Sequence, residues 1–216
     1  MTPRRLALVA LALCSSCAQV NALKTKAPDP GTREGEWAAR RNLATRRASL
    51  YDRFEHRATT TVTYLSPEVR MARARRLGEW LGWTQQELDR HLAAEATEAA
   101  RYDDFLVAFY ATDRHANDLD APQSVWRVAL VLGEGRELLT HDVTALEANT
   151  TLLHLYPYIG VFDTVYRVRF DRVPGPPLSD HTFQLELGSA MGKMEIAFRP
   201  GEVGPDKSLE RLQDNE

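Results

Sequence analysis

From residue 104 onward the chain alternates apolar and polar residues with a period of two, and this limits its fold more than any other feature. Phe105, Val107 and Phe109 alternate, as do Trp126, Val128, Leu130 and Leu132. Tyr166, Val168 and Phe170 point one way while Arg167, Arg169 and Asp171 point the other. Phe183, Leu185 and Leu187 oppose Gln184 and Glu186, and Met194, Ile196 and Phe198 oppose Lys193 and Glu195. Successive strand side chains project to opposite faces, so each segment has one buried and one wet face. Gly133-Glu134-Gly135 turns the chain into a partner strand at 137–146, and Ser189-Ala190-Met191-Gly192 reads as a hairpin turn. The pattern also predicts a short strand at Thr150–Leu155, stopped by Tyr156-Pro157-Tyr158. Trp126 and the Tyr156–Tyr158 pair read as core and corner residues.

The first half is helical in character. Residues 36–57 are rich in Arg, Ala and Leu, with Trp37, Leu43, Leu50 and Phe54 as a thin apolar stripe, and are expected to be helical. Ala58–Leu65 is β-branched and aromatic, a predicted strand. Ser66-Pro67-Glu68 is a helix start, with a capping hydroxyl, Pro at the first helical position and an early carboxylate. Gly82 suits that helix's end, and Thr84 to Glu87 is a capping box opening a second helix. The expected fold is therefore mainly β with α: an antiparallel two-sheet β-sandwich of seven or eight strands over residues 36–200. A helical pair, about 67–82 and 84–102, is inserted after the first strand. A partly open barrel is the alternative.

Ahead of this domain, Arg4-Arg5, the apolar run Leu6–Leu13 and the small residues that follow have the layout of an export signal over residues 1–16. The apolar run is far shorter than the roughly 20 residues a spanning helix needs. Leu13-Cys14-Ser15-Ser16-Cys17 resembles the lipobox of bacterial lipoproteins, with Cys14 standing where Leu is usual. That resemblance covers residues 1–18 and implies acylation of Cys17 (palmitate among the chains), with Ala18 after it favouring the outer membrane. Both cysteines of the chain lie in this segment, so no disulfide can form after Cys17. Residues 17–35, with Pro28 and Pro30-Gly31, are expected to be a flexible linker, and 201–216 a polar tail. Processing after Ala22 is the alternative, giving a secreted or periplasmic protein instead of one anchored to the membrane.

Charge excludes some partners. The net charge is −3, which gives no global attraction to nucleic acid. Residues 33–76 are an exception, with eleven arginines against five acids, a net of +6 that could face an anionic envelope surface or form a solvated helix face. The Gly82–Leu88 segment resembles a helix-turn-helix, but its second helix starts Gln-Gln-Glu-Leu-Asp and would repel phosphates. Between two strands, Asp113, Asn117, Asp118 and Asp120 gather oxygen ligands of the kind hard cations take, with His115 among them. Asn and Asp also favour turns through their own backbone bonds. The six histidines are scattered, and no hydrolase elbow, zinc-protease helix, phosphate loop or dinucleotide fingerprint is present. The sequence thus points to a cell-envelope lipoprotein, a binding or structural module without catalysis or a cofactor, whose expected partners are the membrane, through the lipid anchor, and an unidentified envelope protein. The alternatives are a secreted cation-binding module using the 113–120 loop and, less favoured, an enzyme of unrecognised type.

Overall fold

The computed structural model describes residues 28–200. The export segment with Cys17, most of the linker and the 201–216 tail lie outside the described residues. In chain order the elements are α1 (Arg33–Leu43), β1 (Thr45–Asp52), β2 (Glu55–Tyr64), α2 (Pro67–Leu81), α3 (Gln85–Arg101) and β3 (Tyr102–Ala111). There follow β4 (Arg127–Val131), β5 (Glu137–Leu139), β6 (Asp142–Leu146), α4 (Thr150–Leu155), β7 (Thr164–Asp171), β8 (Phe183–Ser189) and β9 (Gly192–Phe198).

The strands build two antiparallel sheets, ordered β1-β2-β3-β7-β6 and β5-β4-β8-β9. Their facing surfaces hold the alternating residues of the sequence: Phe105, Val107 and Phe109 against Leu130, Leu185 and Ile196, with Tyr166, Val168 and Phe170 beside them. Each such side chain, once removed from water, contributes about 1.5–3 kcal/mol. The five-stranded sheet is also covered on its other face. There Leu106, Ala108 and Val165 meet Trp37 of α1, Val69 and Ala72 of α2 and Leu155 of α4. The result is three layers, with β3 in the middle and apolar on both sides.

The helical pair forms as its caps dictate. Ser66 caps α2 through its side chain, and Gly82 closes it in the left-handed region at φ 65°. Thr84 and Glu87 complete the capping box of α3. The pair follows the second strand instead of the first, because residues 45–52 are a strand. The expected helix over 36–57 ends at Leu43; Ala48 and Leu50 then pack against the intersheet core from β1. The apolar spacing that reads as a helical stripe is thus two patterns joined at Ala44. Thr150–Leu155 is helical, not a strand: Asn149 caps it by accepting from Leu152 N at 2.9 Å, and Leu152 and Leu155 land on one face. The expected single strand 137–146 is divided. β5 pairs with β4, then the chain crosses at Thr140–His141 so that β6 pairs with β7 in the other sheet.

Candidate functional site

The antiparallel order brings the end of β2, the start of β3 and the end of β7 to one mouth of the sandwich. Asp103 continues the inward series Phe105, Val107, Phe109 by one step, so its carboxyl enters the intersheet space near that mouth. It is 7% exposed. The Tyr64 hydroxyl donates to Asp103 Oδ1 at 2.8 Å. Burial pushes the Asp103 carboxyl up, partly offset by Tyr64 and by the nearby Arg172 and Arg70 guanidinium groups. Burial and the adjacent Asp103 also raise the Tyr64 hydroxyl, which stays protonated as a fixed donor.

Two open clefts flank this pair. The first, about 500 Å³, has Leu130, Leu132, Leu138 and Leu178 on its walls together with Asp103, Arg136, Arg172 and His181. The second, about 510 Å³, is bordered by Tyr64, Phe183 and Phe198, with Arg40, Arg46, Glu68, Asp180 and Arg199. His181 lines both. The segment Val173-Pro174-Gly175-Pro176-Pro177 crosses the mouth, and Leu178 at its end is buried in the intersheet core. Three prolines fix φ in this strap, so the cleft walls are largely set before any ligand arrives. Arg172 is held by its Nη1 donating to the Ala99 carbonyl at 2.6 Å.

Asp104, next along β3, points to the helix side and meets the opposite electrostatics. Arg70 and Arg169 both contact its carboxylate, at 2.7 and 2.8 Å. Burial alone would raise its pKa; the hydrogen bonds from Arg169 and the charge of Arg70 outweigh it and hold it below the usual carboxylate range. Glu95 bridges Arg70 and Arg73, and Glu98 meets Arg169. Arg75 pairs with Glu36, and Arg76 with Glu34 and Glu79. Much of the arginine excess of residues 33–76 is therefore neutralised by partners on α1, α2, α3 and β3. The helix-turn-helix likeness has the same outcome, since Arg70, Arg73, Arg75 and Arg76 of its first helix are all in ion pairs.

The 113–120 loop lies at the far end of β3 from Asp103. Its polar atoms serve the loop itself. Asp113 Oδ1 accepts from His115 N at 3.0 Å, and Asn117 Oδ1 from Ala111 N at 2.7 Å. Asp118 accepts from the Ser124 hydroxyl at 3.0 Å and from Val125 N at 3.2 Å. Asp120 is exposed. Among the described residues no three His, Cys, Asp or Glu side chains converge in a way that could hold a metal ion. Cys17 lies outside the described residues, and no helix within them is long and apolar enough to cross a membrane.

The mouth residues escape a motif search because they come from five separate segments. The one available signal is Asp103 itself, an acid in the inward register of an otherwise apolar strand. Against known proteins, no family model, curated protein or solved structure gives a significant match. Roles at the mouth therefore rest on its own geometry.

Proposed function

We propose that the chain is a non-catalytic binding module of the cell envelope, exported by its first residues and tethered to the outer membrane through lipid on Cys17. The ligand is seated at the mouth of the sandwich. The observation that carries this reading is the pair of clefts meeting at the Tyr64–Asp103 hydrogen bond. Apolar walls with a few fixed polar groups are what small-molecule recognition requires. The basic start, short apolar run and lipobox-like Cys17 support the tether. More than one acyl chain is needed for a stable anchor, which a lipoprotein's modified cysteine supplies.

Two measurements test it. Labelled palmitate fed to cells making the protein should enter the wild type and not Cys17→Ser; equal labelling removes the tether. A photo-crosslinking residue at Thr182, on the cleft rim, should give a defined adduct in intact cells that is lost when Leu138→Arg fills the first cleft. No adduct, or one indifferent to Leu138→Arg, removes the binding reading.

A further inference from the structure

The first cleft is the better built of the two for a particular chemistry. Leu130 and Leu178 are buried in the intersheet core and yet border the open space, while Leu132 and Leu138 pack partly against that core. An apolar chain entering here would extend the core itself, each methylene it removes from water adding to affinity. The polar groups of the same cleft are unequal in sign. Arg172, held on the Ala99 carbonyl, and the exposed Arg136 supply two positive charges, and His181 adds a further donor site. Among the described residues that line the cleft the one acid is Asp103, which accepts the Tyr64 hydroxyl at 2.8 Å and whose pKa burial raises. Two guanidinium groups thus stand beside one carboxyl whose Oδ1 is already engaged by Tyr64. An arginine fork matches carboxylate or phosphate oxygens, and such charge-assisted bonds are about twice as strong as neutral ones.

Resting on the binding reading above, we propose that the first cleft takes a single-chain amphipathic anion. Its acyl chain lies along Leu130, Leu132, Leu138 and Leu178, and its carboxylate or phosphate meets Arg136 and Arg172. A free fatty acid and a lysophospholipid share this chemistry.

Calorimetry on the purified chain tests it, with dodecanoate, dodecanol and acetate as probes, each below its aggregation limit. Dodecanoate is expected to bind saturably at one site, at least tenfold more tightly than dodecanol, and acetate to give no measurable binding. Arg136→Glu, an exposed position, should weaken dodecanoate at least tenfold, and Leu138→Arg should abolish it. Thermal melts of both variants show that each is folded. Equal affinity for dodecanoate and dodecanol, or unchanged dodecanoate affinity in folded Arg136→Glu and Leu138→Arg, overturns the proposal. A lysophospholipid arm separates the two sources: tighter binding than dodecanoate identifies a phosphate headgroup, weaker binding a free carboxylate, and both support the shared chemistry. If neither binds while the Thr182 crosslink still forms and still depends on Leu138, the ligand class is wrong and the binding reading stands. If the crosslink fails too, both fall.

Discussion

Arg169 and Asp104 are cross-strand partners on β7 and β3, and the guanidinium grips the carboxylate at two points, Nε to Oδ1 and Nη2 to Oδ2, each 2.8 Å. Arg70 of α2 reaches the same carboxylate at 2.7 Å from the opposite layer. One residue earlier, Asp103 faces the other way and is held by a neutral hydroxyl. The period-two geometry of a strand thus puts two adjacent acids in two layers, with pKa values moved in opposite directions. Asp104 ties the helical pair to the sheet, while Asp103 shapes the mouth.

Removing the Asp104 charge should be costly, because Arg70 and Arg169 would lose the carboxylate between them. Breaking a buried ion pair by deleting one partner typically costs about 3–5 kcal/mol. Asp104→Asn is expected to lose stability on that scale in urea denaturation at pH 7. The folded-state pKa of Asp104 lies below its unfolded value, so its contribution is present above the unfolded value of about 3.9. It is lost as pH falls through the folded value. Wild type and variant should therefore converge in strong acid; a gap unchanged down to pH 2 would show that the loss is not electrostatic.

Asp103 should behave in the opposite sense. Its folded pKa is raised, so the stability linked to its protonated form is present below the unfolded value and lost as pH rises through the folded one. Asn at this position keeps an oxygen to accept the Tyr64 hydroxyl and carries no charge. Asp103→Asn is expected to be more stable than wild type at pH 7–8, with the advantage shrinking toward pH 4. Paired denaturation curves at several pH values check this, and a variant less stable at pH 8 than at pH 4 relative to wild type contradicts it.

How much of this was legible in the sequence depends on the range of the forces involved. Alternation at Phe105–Phe109, Tyr166–Phe170, Phe183–Leu187 and Met194–Phe198 marks the inward faces correctly, since burial there follows from strand geometry alone. The caps at Ser66, Gly82 and Thr84 are equally local and equally readable. The segment 45–52 is different. Arg46 and Arg47 suit a helix, and only pairing with β2, from Thr45↔Thr63 to Asp52↔Glu55, makes it a strand. Leu152 and Leu155 are decided by the Asn149 cap and by docking on Val165 and Tyr156. The mouth is the least legible part, because Tyr64, Asp103, Arg136, Arg172 and His181 become neighbours only through the order of the strands.

The β8–β9 hairpin shows why its last turn position is glycine. Gly192 sits at φ 133°, and a β-carbon there would stand 2.8 Å from Leu50 Cδ1 on β1. Leu50 packs against the intersheet core, so moving it away disturbs the contact between the two sheets. Strained backbone of this kind costs on the order of 1–3 kcal/mol before any clash is counted. Gly192→Ala should lower the melting temperature, and Leu50→Ala in the same chain should relieve the clash but not the backbone strain. A double variant whose loss equals the sum of the two single losses would show that the Leu50 contact is irrelevant.

Trp37 provides the corresponding test for the helix layer. It is fully buried, meets Tyr156 edge-on with ring centroids 5.4 Å apart, and donates its indole N–H to the Leu155 carbonyl at 3.1 Å. One side chain of α1 therefore fastens α4 and the segment after it onto the sheet. Replacing a buried Trp with Ala typically costs about 3–5 kcal/mol, whereas Phe keeps most of the apolar area and loses one hydrogen bond, worth about 0.5–1.5 kcal/mol because the Leu155 carbonyl still accepts from Arg41 Nη1 at 3.0 Å. Trp37→Phe should accordingly retain the larger share of stability. Hydrogen exchange is expected to accelerate first at the amides of Leu153 and Tyr156, which close α4 on Asn149 and Leu152. Amides of β4 and β8, in the other sheet, should exchange at the wild-type rate under the same conditions. Uniform acceleration across both sheets would mean that Trp37 supports the whole domain and not the helix layer alone.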